Sequence, residues 1–164
     1  MGMIAHYYQV SKDKIKDAQM KIALSYNDFS EVISSEDFVI YHIDIDKSWL
    51  NLVEVFKDIQ AQESIENVGE LAFYGKEIVK NFQPDGLINF LNSQDVHLIQ
   101  KYLEYIAISN KEEFIGKFNS TAFTQFGKID YSESYDYMYN HFMDLKNFYL
   151  KCEQEESGVI VSIG

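Results

Sequence analysis

Residues 41–56 read YHIDIDKSWLNLVEVF, and the period of the apolar side chains changes inside them. Phe38, Val39, Ile40, Tyr41, Ile43 and Ile45 are β-branched or aromatic, which favours a strand with alternating faces. Beyond Lys47, residues Trp49, Leu52, Val53, Phe56 and Ile59 recur at steps of three and four, so the spacing predicts an amphipathic helix. A strand that runs straight into a helix makes this joint the element around which the rest of the chain is read. His42, Asp44 and Asp46 share one strand parity, which would align three metal-binding or proton-handling groups on one side.

Towards the N-terminus, residues 3–10 alternate aromatic and aliphatic side chains and read as a strand, with His6 and Tyr8 on one face with Ile4. Ser11 is placed as an N-cap with Asp13 in the first turn, and Ile15, Ala18, Ile22 and Ala23 give a helical stripe to about Ser25. Asp28 with Glu31 has capping-box spacing and opens a short second helix with Phe29, Val32 and Ile33 inward. Residues 34–37 then form a polar turn into the central strand.

Downstream, residues 60–70 (QAQESIENVGE) are polar and suggest a surface excursion, and residues 71–74 and 77–80 could pair as a hairpin about Gly75 and Lys76. Pro84 lies in a PDG turn, and Ser93 is read as the cap of a helix whose stripe is Val96, Ile99, Leu103 and Ile106. Ser109 and Glu112 match a capping box before Phe114, Ile115 and Phe118, and residues 120–126 read as a short turn of helix ending at Gly127. Tyr135, Met138, Phe142, Leu145, Tyr149 and Cys152 predict a long helix over about 134–156, widened by Tyr139, Met143 and Phe148. Gly158 is placed as its stop, and VIVSI at 159–163 suits a central strand beside the first one. The fold class is therefore α+β: one domain over 1–164, with a small mixed or antiparallel sheet whose N- and C-terminal strands are adjacent. Several helices cover it, the long C-terminal one among them.

The N-terminal MGMI strand, the DIDKSW joint and the C-terminal FMDLKNFYLKCEQEESGVIVSI together resemble the YfbM-like family of bacterial domains of unknown function. The similarity covers both ends and the joint and leaves out roughly residues 60–92. It implies an α+β domain whose terminal strands meet in one small sheet, and it transfers no activity. Members of that family often carry a His after the Trp near the start of the central helix, where this chain has Leu50 and Val53.

The chain has 26 acidic residues against 14 basic ones, all of them Lys, for a formal charge of −12. Without Arg and with a negative balance it lacks the means to neutralise phosphates, which disfavours nucleic acid and anionic membranes. No run of roughly 18 apolar residues offers a membrane span, and the start lacks a charged-then-apolar leader, so a cytoplasmic location is expected. A lone Cys152 fits a reducing compartment.

At the joint, His42, Asp44 and Asp46 could bind a divalent cation. A catalytic version makes one carboxylate a general base with His42 as proton partner, and Lys47 or the helix N-terminus as anion stabiliser. The plainer reading makes Asp46 the N-cap, accepting from Ser48 or Trp49, with Asp44 held by turn amides or Lys47 and His42 a sheet residue. Cys152 on an apolar stripe among Glu153, Glu155 and Glu156 reads as a buried thiol, and His97 or His141 could meet His6 or His42 in space. Tyrosines 131, 135, 137 and 139 could stack a ligand, although their helical spacing suits core and rim. No phosphate-binding, zinc-protease or nucleophile-elbow motif is present. The expected function is that of an acidic interaction protein for a basic protein partner, with no dedicated cofactor; the alternative is a metal-assisted or acid/base hydrolase using segment 42–47.

Overall fold

A computed structural model describes residues 3–63, 68–79, 86–120 and 135–164. Five strands form one antiparallel sheet: β1 (Ala5–Val10), β2 (Val39–Asp44), β3 (Glu77–Val79), β4 (Leu87–Leu91) and β5 (Gly158–Ile163), in the order β2-β1-β5-β4-β3. The terminal strands pair along their whole length, from Ala5 opposite Ile163 to Val10 opposite Gly158. β5, apolar on both faces, lies at the centre of the sheet as its composition requires.

Among the described residues, seven helices pack on the two faces. α1 (Ile15–Ile22) and α2 (Tyr26–Ile33) cover one, after a 3₁₀ turn at Lys12–Lys14. The other carries α3 (Ser48–Glu63), α4 (Val68–Tyr74), α5 (Ser93–Tyr105), α6 (Lys111–Asn119) and α7 (Tyr135–Gln154). Strand alternation decides the assignment: Ala5, Tyr7, Val159, Val161 and Ile163 point into the thick layer, and Val10, Ile88, Phe90 and Ile160 into the thin one. Trp49, at the start of α3, donates its indole N–H to the Met3 carbonyl at 3.0 Å and so ties the joint to the first strand.

Several local expectations are corrected. Residues 71–74 are the last turns of α4 and not a strand, and the partner of β3 is β4, a strand missed by the sequence reading. Of the expected excursion at 60–70, α3 takes residues up to Glu63 and α4 begins at Val68. Pro84 and Asp85 of the PDG turn, residues 121–127 and Tyr131 lie outside the described residues. Ser25, not Asp28, caps α2, accepting from the Asp28 N–H; Asn92, not Ser93, caps α5 with Asp95 closing the box. Asn110 caps α6, and Glu113 reaches back to the Ser109 N–H. Glu156, at φ 51°, closes α7 in a Schellman arrangement, with the Ser157 N–H donating to the Cys152 carbonyl, and Gly158 is already in β5.

The end of α4 is held unusually well. A helix leaves its last carbonyls without intrahelical donors. Here the Tyr149 hydroxyl donates to Ala72 O at 2.6 Å, Tyr7 to Phe73 O at 3.3 Å, and the Asn89 amide to Tyr74 O at 2.5 Å. Gly75 follows at φ 70°, where a Cβ would lie 2.9 Å from that of Asn89, so only glycine permits this exit.

Candidate functional site

The site follows from the pairing of β1 with β2. His6 stands opposite Asp44 and Tyr8 opposite His42, so His42 is the diagonal neighbour of His6 on the thin-layer face. Directly opposed side chains start about 5 Å apart and diagonal ones about 7–8 Å, within reach of imidazoles. One ligand atom from each of His6, His42 and Asp44 lies within 4.8 Å of the others. Tyr8 stacks on His42 at 5.3 Å and 15°, and on His6 at 6.2 Å and 28°.

His6 is half-buried, while His42 and Asp44, on the edge strand, are exposed. Burial lowers the His6 pKa, against the opposing pull of Asp44 and with a smaller push from His42, so the ring is neutral at neutral pH. Its Nδ1 is sealed from solvent and has no hydrogen-bond partner. Beside it lies a cavity of about 250 Å³, with His6, Tyr8 and Ser162 along the sheet and Phe29 and Ile33 of α2 as a wall.

The joint thus divides. Asp46 leaves the strand at φ 44°, and its carboxylate accepts from the Tyr137 hydroxyl at 2.5 Å and from the Lys47 N–H. It does not cap α3 as expected, because the Ser48 N–H donates to Ile45 O at 3.2 Å. The Tyr137 bond lowers the Asp46 pKa, and burial followed by that same bond pushes Tyr137 up to about 12. Lys47 is exposed and outside the cluster. Of the expected triad His42, Asp44 and Asp46, the fold keeps the first two and supplies His6 as the third. The parity of β1 already carried that signal; the missing step was its pairing with β2.

The remaining candidates are dispersed. His97 Nδ1 is 3.1 Å from a Glu153 carboxylate oxygen, and His141 lies edge-on to Tyr137 at 4.6 Å. Cys152 is buried and its thiol pKa is driven upward by desolvation, as an inert core thiol requires. Tyr135 packs on Phe118 and Tyr139 on Phe114, both as core rim. Among the described residues no helix is long and apolar enough to cross a membrane.

The family described as a domain of unknown function, DUF1877, matches residues 1–162. The chain belongs to the DUF1877 family. Among solved structures this DUF1877 chain is similar to the protein of unknown function YfbM from Escherichia coli, at 15% identity and a TM-score of 0.61, over 98% of this chain and 99% of that one. At that identity the likeness is one of fold, and it bears out the YfbM-like resemblance of the joint and the two ends. No curated protein matches the chain.

Proposed function

We propose that the chain is a binding protein whose recognition element is the cavity between β1, β5 and α2. The observation that carries this is the composition of that cavity: the His6 imidazole and the Ser162 hydroxyl set among Tyr8, Phe29 and Ile33. Apolar walls with few converging polar groups are the usual make-up of a small-molecule pocket. The aromatic faces suit a flat, largely apolar molecule with one polar group directed at His6. A small-molecule fragment set added to the full chain should give saturable rises in thermal midpoint, since a ligand that binds only the folded form must stabilise it. Ile33→Trp, which fills the cavity, should remove them; fragments that never stabilise the parent, or that stabilise Ile33→Trp equally, overturn the reading.

A second reading is favoured by charge alone: 26 acids against 14 lysines suit a basic protein partner. Such an association should weaken steeply as salt rises.

A further inference from the structure

We infer that His6, His42 and Asp44 form a site for one divalent transition-metal ion, zinc or a close analogue, beside the cavity that His6 also lines. The donors come from two directly hydrogen-bonded strands, so the sheet register, not a loop, fixes their spacing. Tetrahedral zinc with bonds near 2.0–2.1 Å needs donor atoms about 3.3 Å apart. A present spread of at most 4.8 Å therefore closes with side-chain rotation and no shift of the sheet. His42 and Asp44 are exposed and, among the described residues, neither side chain is engaged in a hydrogen bond or ion pair; the rotation has only the stacking of His42 on Tyr8 and His6 to overcome.

The donor chemistry selects the ion. Two imidazoles with one carboxylate suit zinc, cobalt or iron(II), whereas magnesium and calcium favour all-oxygen sites. Three protein donors also leave a coordination position open for water or a ligand atom. The solvent-sealed Nδ1 of His6, without a hydrogen-bond partner, points the same way, since a metal would take up one ring nitrogen of this residue. Asp46 and Lys47 take no part. This inference shares His6 with the small-molecule reading but does not depend on it, because His42 and Asp44 do not line the cavity and the Phe29–Ile33 wall supplies no donor.

The test uses the full chain stripped with a chelator, then titrated with Co²⁺ followed by its visible absorption, and with Zn²⁺ in competition. One equivalent should bind with the bands of a low-coordinate site, and Zn²⁺ should displace it. His42→Ala and Asp44→Asn should each weaken binding by at least about tenfold, with unchanged far-ultraviolet dichroism since both positions are exposed. Asp46→Asn and Ile33→Trp should bind as the parent does, which separates failure here from failure of the cavity reading. Absence of saturable binding, retention of affinity in either His42→Ala or Asp44→Asn, or equal binding of Ca²⁺ would overturn the inference. His6→Ala serves as a third variant where it folds.

Discussion

The two faces of the sheet are built from the same strands and end differently. On the face covered by α3 to α7, several polar groups that enter the core find partners: the hydroxyls of Tyr7 and Tyr149 each meet a helix carbonyl, and the Gln9 Nε2 donates to Glu155 and Ser157. On the other face α1 and α2 shelter Val10, Ile88, Phe90 and Ile160, while His42 and Asp44 lie exposed. Thick cover cuts polar atoms off from water, so an internal partner is worth most there, and Gln9 Oε1, Asn89 Oδ1 and Gln100 Oε1 are buried without one. Thin cover lets a sheet carry titratable groups at low cost, and the candidate site sits at that margin.

Phe142 should show the largest effect. It is fully buried between Phe56, at 5.8 Å, and Phe114, at 5.5 Å. Phe142→Ala should cost about 3–5 kcal/mol, and Phe29→Ala, beside an existing cavity, about 2–3, both read from urea unfolding. Equal losses would erase the distinction between the faces. Tyr149→Phe should cost about 1–2 kcal/mol, because it strands the Ala72 carbonyl in a dry core. A neutral result would mean that water reaches the thick layer.

The smallest effect is a slope. The folded chain holds the His6 proton less tightly than the unfolded chain does, since its pKa is lowered. On acidification below about 6.5 the unfolded state therefore binds the proton first, and this contribution to stability, full above that pH, is lost as pH falls towards the folded value. Urea midpoints between about pH 5 and 8 should fall on the acid side in the parent and be flatter in His6→Gln. An identical slope in the variant would show that His6 is not sheltered by the thin layer.

Much of this was legible in the chain. The strand-to-helix change of period at residues 41–56, the long C-terminal helix and the adjacency of the terminal strands all follow from apolar spacing, and all are present. Leu71, Ala72, Phe73 and Tyr74 misled because a short apolar run fits a strand and a buried helix alike. Packing of Phe73 on Phe56 and the tyrosine bonds to the α4 carbonyls decide for helix, and neither is local. Asp46 has the position of a cap, but a tyrosine 91 residues away takes its carboxylate. The site failed for the same reason: alternation placed His6 and Tyr8 on one face of β1 and His42 and Asp44 on one face of β2, yet nothing in either segment reports that the strands are neighbours.

The three side chains that close the end of α4 also set an order of events. They reach it across 15, 66 and 77 positions of sequence, from β4, β1 and α7. None can arrive before its own strand or helix has docked, and closing such long loops is entropically slow. The α4 terminus should therefore become native only after β1, β4 and α7 are in place, and amide protection there should appear later in refolding than that of β1 and β5 although Ala72 and Phe73 are as deeply buried.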